Sequence, residues 1–397
     1  MKILITTDLF LPSVNGVVTS VLSLAHGLEK HGHEVRILTL SDTVHTHVDG
    51  NVIYLGSFSM GLLYPGIRIR KLSCHNAVRE LIRWHPDVVH SQCEFSTFAI
   101  ARTVARKCRI PLIHTYHTVY EEYTHYFSPS VRMGQAMAAQ FSRHIANCTD
   151  AVIAPTKKVR RLLESYRVRS PIAVIPTGLE IKKDVNSTSH QSECLRQRLG
   201  IPAGTRVLLF LGRLAEEKNI PVLLRLLDYP ELHDTVLVLV GDGPYRAELE
   251  RRVKESGLSE RVIFAGMVPH AQVVDYYHLG NVFVNASGSE TQGLTYLEAM
   301  AAEIPVVCRA DPCVEDLIAN GKSGFACRNT AEMADAIEKL LIDPSLRESI
   351  IQTASALVAA AYTSDAFATA AENLYRTASV RCKRCADQTL TERSVSL

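Results

Sequence analysis

Short apolar runs recur along this chain at residues 2–6, 34–39, 88–90, 111–115, 151–154, 207–211, 236–240, 262–265, 282–284 and 304–308. Between several of them lie segments with helical spacing of apolar residues, such as 17–30 and 157–166. Strands this short, apolar on both faces and alternating with helices, belong to parallel sheets covered on both sides. The expected fold class is therefore α/β, with doubly wound parallel sheets whose ligands gather at the carboxyl ends of the strands. At 397 residues the chain is too long for one ordinary core. Two domains are predicted, 1–180 and 201–363. They are joined by a linker at 181–200, where the sequence turns polar and aperiodic; a C-terminal helix at 364–385 and a polar tail at 386–397 follow.

Composition narrows the class. With 47% hydrophobic and 21% charged residues the chain reads as globular. It has no run of eighteen apolar residues, and its N-terminus enters a strand at once, so neither secretion nor membrane spanning is expected. The ten cysteines are scattered through apolar elements, which favours reduced thiols in the cytoplasm over a disulfide framework. Cys382 and Cys385 have the spacing of half a zinc site, but no second pair follows. The net charge of +2 is uneven: residues 1–178 carry 20 Lys and Arg against 12 Asp and Glu, and the remainder 23 against 29. A basic first half beside an acidic second half suggests that the first domain faces something anionic, either nucleic acid or a lipid surface.

The most informative stretch follows the run at 282–284. A loop through Ser287, Glu290 and Gly293 leads into a helix marked by Leu294, Leu297 and Met300. Free amides of Gly293, Leu294 and Thr295 at such a helix start make an anion site. Two carboxylates flank it, Glu290 in the loop and Glu298 a turn into the helix. Either alone could be an acid placed for the helix dipole; together they suit hydrogen bonds from sugar hydroxyls on the two sides of a phosphate. The second domain's first strand ends in Gly212-Arg213, with Lys218 five residues on, which puts two cations at the mouth of that sheet, unless both only pair with Glu216 or Glu217. No Gly-x-Gly-x-x-Gly follows a strand, which argues against a dehydrogenase.

In the first domain, Gly16 ahead of the first helix would allow close backbone approach to a ligand, or serve only as a turn. Polar and aromatic residues crowd two strand ends, Ser91 to Glu94 and Tyr116 to Tyr126, as expected of a site rather than a core. Between Arg68 and Trp84, Arg68, Lys71, His75, Arg79 and Arg83 recur every three or four residues, predicting a basic amphipathic helix. Such a stripe is either a solvated face or a contact with an anionic membrane.

These motifs resemble those of the retaining glycosyltransferases of family 4, which have the GT-B fold of two Rossmann-like domains facing a central cleft. The carrying residues are Glu290-x7-Glu298 with Gly293 between, Gly212-Arg213-x4-Lys218, Asp8-x3-Pro12-x3-Gly16, and the phrase from Tyr116 to Tyr126, which is similar to that of the bacterial diacylglycerol glucosyltransferases within the family. The resemblance spans Asp8 to Asp316. It implies a nucleotide-sugar donor, UDP-glucose, and a lipid acceptor, diacylglycerol. Glu290 would hold the hexose and Glu298 the ribose, while Arg213, Lys218 and the amides would take the diphosphate. Val268 would meet the base and His117 the transferred sugar. Tyr120, Glu121, Glu122 and Tyr126 would stand on the acceptor side, with Arg68, Lys71, Arg79 and Arg83 on a membrane.

The last helix would cross back onto the first domain. No Asp-x-Asp motif falls in the predicted site, so the reading needs no metal or cofactor beyond the donor. Partners would be the nucleotide sugar, the lipid acceptor and the anionic inner face of the cell membrane, with no nucleic acid. One departure stands out: relatives usually carry Gly-Gly-x-Pro-Glu where this chain has Asp311-Pro-Cys-Val-Glu315. A sister transferase for phosphatidylinositol or a polysaccharide precursor, a nucleotide-sugar epimerase of the same fold, and a nucleic-acid binder are the competing readings.

Overall fold

The computed structural model describes the backbone of residues 1–13, 15–59, 68–70, 75–122, 130–180, 189–269 and 272–394, with side chains over the same ranges except 59, 70, 189–191 and 383–394. The described residues form two compact units, Met1–Glu180 with Thr363–Leu397, and Ile181–Tyr362.

The first unit carries, in order, β1 (Lys2–Thr6), α1 (Gly16–Lys30), β2 (Glu34–Leu40), β3 (His47–Asp49), β4 (Val52–Leu55), β5 (Ser57–Ser59), β6 (Arg68–Arg70), α2 (His75–Trp84), β7 (Val88–Ser91), α3 (Ser96–Cys108), β8 (Leu112–Thr115), α4 (Val131–Ala146), β9 (Ala151–Ala154), α5 (Lys157–Ser165) and β10 (Ile172–Val174). Its main sheet runs β10-β9-β8-β7-β1-β2-β4-β3 and is parallel apart from the β3–β4 pair. The strands β1, β7, β8 and β9 are buried almost throughout, as covering both faces requires. From β1 the chain winds one way to β2 and β4, then the other way to β7, β8, β9 and β10. The order therefore reverses between β1 and β7, the switch point at which loops part and a crevice opens.

The second unit contains α6 (Ser189–Arg198), β11 (Arg206–Leu211), α7 (Ile220–Leu224), β12 (Thr235–Val240), α8 (Arg246–Glu255), β13 (Val262–Gly266), α9 (Val273–Leu279), β14 (Val282–Asn285), α10 (Leu294–Ala301), β15 (Val306–Arg309), β16 (Phe325–Cys327), α11 (Thr330–Ile342) and α12 (Pro344–Ala361). Its sheet is parallel, ordered β13-β12-β11-β14-β15-β16, and reverses between β11 and β14. A last helix, α13 (Ser364–Ser394), belongs to the first unit. There Phe367, Ala368, Ala371, Tyr375 and Ala378 join Val21, Leu24 and Leu28 of α1 in one core. The helices touch closely at Gly27, where an added Cβ would lie 2.5 Å from Ser364 O and 2.7 Å from Ala368 Cβ.

Four sequence expectations need correction. The basic stretch from Arg68 to Trp84 is not one helix, because Arg68 lies in β6, paired with β5. Its guanidinium donates to Ser41 O, Ser57 Oγ and Asp42 O, a set of inward contacts that outweighs helical periodicity. The stretch 181–200 is not all linker, since α6 occupies its second half. Leu195 of α6 is buried, and Arg198 donates to Tyr276 OH at 3.0 Å. Residues 314–324, whose sequence reads as a helix with its turn, make turns instead, with Asp311 Oδ1 accepting from Cys313 N and Ser323 Oγ accepting from Ala319 N.

The helices α12 and α13 are parted at Thr363, which pairs with Leu179 and caps α13, its Oγ1 accepting from Ala366 N at 3.1 Å. Finally, the polar tail continues α13 as far as Ser394. The sequence expectations that fall on Lys71, Tyr123, His125, Tyr126 and Phe127 lie outside the described residues, as does the side chain of Cys385. Cys382 Sγ reaches Arg109 O.

Candidate functional site

The loops at the second unit's switch point carry Arg213, Lys218, Glu290 and Gly293. These are the segment after β11, residues 212–219, and the segment after β14, residues 286–293. Adjacency of β11 and β14 brings Lys218 and Glu290 together across 72 residues of sequence, with Lys218 Nζ donating to Glu290 Oε1 at 2.6 Å. Both side chains are largely shielded, at 19% and 15% exposure, so the pair is more than a solvated surface bridge. Arg213 is half-buried on the same segment. Asn219, at φ 52°, ends the short turn that holds Lys218 and opens α7.

Gly293 precedes α10 in the left-handed region at φ 73° and, as glycine, brings no side chain of its own to cap the helix start. A Cβ there would lie 2.4 Å from the Tyr296 ring, so both the backbone angle and the space call for glycine. Leu294 and Thr295 are half-buried in the first turn, with their amides on the side of the positive dipole end. One turn on, Glu298 Oε2 accepts from Tyr277 OH of α9 at 2.7 Å. Burial, then the charge of Glu298, holds the Tyr277 phenol far above its ordinary value, so it acts as a donor. Val268 is half-buried just past β13, where the chain leaves the sheet.

The first unit's switch point gathers a buried polar cluster that sequence reasoning did not assign. Gln92 and Glu94 follow β7, while His114 and Thr115 end β8. Gln92 N donates to Thr6 O of β1, which fixes the loop, and its Oε1 accepts from His117 Nε2. Glu94 Oε2 accepts from Tyr120 OH at 2.8 Å, while Oε1 lies 3.4 Å from His114 Nε2. Burial drives the half-buried His117 imidazole down to about 4, against an upward pull from Glu94. Asp8, in the loop after β1, accepts from Thr97 N at 2.8 Å and Phe95 N at 3.2 Å and so caps α3. Burial raises its carboxyl to about 6. The polar letters Gln92 and Glu94 directly after an apolar strand were the available signal; nothing in them announced which partners they would meet.

The remaining first-unit predictions scatter. Gly16 is the exposed first residue of α1, and Asn15 caps that helix, its Oδ1 accepting from Val18 N. Tyr120 packs among Tyr116, Phe95 and Phe141. Glu121 is half-buried and Glu122 exposed beside it. Arg79 and Arg83 are exposed on α2, with Leu81 and Trp84 buried on its opposite side.

Two family models match this chain. The one described as Glycosyltransferase Family 4 covers residues 14–183, and the one described as Glycosyl transferases group 1 covers 191–356. The fold is that of the two-domain GT-B enzymes. The Anabaena protein HepE, solved with UDP and glucose, superposes with a TM-score of 0.75 at 19% identity, over 95% of this chain and all of that one. The sucrose-phosphate synthase of Thermosynechococcus elongatus gives a TM-score of 0.73 at 21% identity, over 95% and 98%. The chain belongs to glycosyltransferase family 4. Among curated relatives, the alpha-monoglucosyldiacylglycerol synthase of Streptococcus pneumoniae is 36% identical over 88% of this chain and 80% of its own. The enzyme of the same name from Acholeplasma laidlawii is 31% identical over 94% and 96%.

Proposed function

We propose that this enzyme moves glucose from UDP-glucose to diacylglycerol with retention of configuration, making an α-monoglucosyl lipid. The observation that carries the reading is the 36% identity to a synthase of that name across most of both chains. The Anabaena structure with UDP-glucose supports the donor. In this chemistry C1 of the sugar loses a diphosphate. Arg213, Lys218 and the amides of Gly293 to Thr295 would take up the growing charge, an effect for which one donor is typically worth about 10²- to 10³-fold in rate.

Glu290 would accept from hexose hydroxyls while Lys218, already bonded to it, turns its remaining protons to phosphate. Glu298, oriented by Tyr277, would accept from the ribose. Val268 would lie against the base and Gly16 against the donor phosphate or the acceptor. His117 would contact the transferred sugar, and Tyr120, Glu121, Glu122 and Tyr126 would stand on the acceptor side. No carboxylate announces itself as a nucleophile, so the leaving phosphate would receive the acceptor's proton on the donor's own face.

Arg79 and Arg83 on α2 would meet an anionic leaflet, each worth about 1 kcal/mol near such a surface. No helix among the described residues is long and apolar enough to cross a membrane. We place the enzyme at the inner face of the cell membrane. The test is radiolabelled UDP-glucose, UDP-galactose or GDP-mannose with diacylglycerol in mixed micelles, the products separated by thin-layer chromatography. Label in a glucosyl lipid only with UDP-glucose supports the reading; conversion of UDP-glucose without acceptor would make the protein an epimerase.

A further inference from the structure

A line of buried side chains runs from the C-terminal helix to His117. Tyr375 of α13 lies 2.6 Å from His90 Nδ1, and His90 Nε2 lies 2.7 Å from Thr115 Oγ1 and 3.4 Å from Gln92 Nε2. Gln92 Oε1 in turn meets His117 Nε2, with Ser20 Oγ donating to the same oxygen at 3.4 Å. Tyr375, His90, Thr115 and Gln92 are all fully buried. Buried polar groups of this kind need every donor matched to an acceptor.

With the Gln92 amide oxygen toward His117 and its nitrogen toward His90, as the structure orients it, only one arrangement of protons keeps donors from facing donors. An amide oxygen can only accept, so His117 Nε2 must carry the hydrogen. The amide nitrogen of Gln92 then faces His90 Nε2, which must be bare, leaving the His90 proton on Nδ1 to bond Tyr375 OH. Burial holds His90 down to about 3 and His117 to about 4, so each ring carries a single proton at neutral pH. The other His117 nitrogen, Nδ1, has no partner among the described residues, and it is left as a lone-pair acceptor.

We propose that Gln92 is a positioning residue that holds His117 in its Nε2–H tautomer, so that Nδ1 accepts a hydrogen bond from a substrate hydroxyl. This rests on the reading above, in which His117 meets the transferred sugar. A histidine in the other tautomer would present a donor to the same hydroxyl, and an imidazolium would present only donors. Besides burial, the groups that bear on its charge are Glu94, which favours the imidazolium, and His114, which opposes it.

The experiment is long-range proton–nitrogen correlation NMR on protein labelled with 15N-histidine, the His117 signals assigned by their loss in His117→Gln, combined with kinetics. In the unaltered protein at neutral pH, Nε2 should show a protonated-type shift and Nδ1 a bare, pyridine-type one. Gln92→Leu should mix the tautomers and lower kcat/KM for UDP-glucose by about 10- to 100-fold, the range for leaving a buried polar partner unpaired. Gln92→Glu keeps the shape but places a carboxylate on the ring, stabilising the imidazolium. The acid limb of its pH–rate profile should move up toward neutrality and activity should return at alkaline pH, a response that loss of packing alone would not give. A protonated Nδ1 in the unaltered protein, or a Gln92→Leu variant with unchanged tautomer and turnover, would overturn the proposal. If instead His117→Ala turns over normally, the placement of His117 at the sugar is what fails, whatever tautomer the ring holds.

Discussion

Lys218 and Glu290, 72 positions apart, form a shielded ion pair because β11 and β14 are neighbours and both loops leave the sheet at the same end. Replacing either by alanine strands the other, and each change removes a group that the proposed transfer would use. Lys218→Ala and Glu290→Ala should each lower transfer by at least about 10²-fold, and the double variant should fall well short of the product of the two losses. Thermal melts establish that the variants fold; near-normal turnover in either would remove both residues from the site.

Tyr277 OH donates to Glu298 Oε2 at 2.7 Å and also reaches Thr295 O at 3.4 Å, so Tyr277→Phe deletes these two contacts and little else. Glu298 stays in place but loses its orientation. The KM for the nucleotide sugar should rise by about three- to tenfold with kcat nearly unchanged, the signature of uniform binding lost. A selective fall in kcat would assign Glu298 to the chemical step instead.

Gly293→Ala places a methyl group against the Tyr296 ring on a backbone angle that alanine resists by about 1–2 kcal/mol. The amides of Leu294 and Thr295 then shift. Donor binding, read by calorimetry with UDP, should weaken about tenfold or more, a loss equivalent to 1.4 kcal/mol, while the melting temperature drops by only a few degrees.

Stability should fall as the pH is lowered through the mildly acid range. His90 and His117 titrate in the folded protein at about 3 and about 4, below their ordinary 6.5. From about 6.5 down to those values the unfolded chain binds protons that the folded chain refuses, so acid favours unfolding. Asp8 acts the other way, since its carboxyl is raised from 3.8 to about 6 and the folded form binds the extra proton over that interval. Urea midpoints across this range should therefore fall with acid in the unaltered protein, and more steeply in Asp8→Asn, where the opposing contribution is gone. A profile that stays flat even in Asp8→Asn would count against neutral, buried histidines in the folded state.

For the membrane, Arg79→Ala with Arg83→Ala should weaken sedimentation with anionic vesicles by about tenfold or more. Equal binding of the unaltered enzyme to neutral vesicles would count against α2 as the contact.

The strands were legible because their apolar runs are continuous, and the loop into α10 was legible because its glycine and two acids sit at fixed spacing. Less visible was anything decided by partners distant in sequence. Arg68 looked like one more basic residue on a helical stripe until Ser41, Asp42 and Ser57 drew it into β6. Leu195 gave α6 too small an apolar signal for its neighbours to be read as anything but linker. Gln92, Glu94 and His114 stood in the sequence as strand-end polar residues, and only the strand order could say that they meet.

The return of α13 also orders events in the life of the chain. Phe367, Ala371 and Tyr375 complete the core that Val21, Leu24 and Leu28 begin. A ribosome releases those late residues only after the entire second unit has emerged. The domain whose translation starts first is thus the one that must wait, with α1 bare on one side, while its sister unit can already be folded.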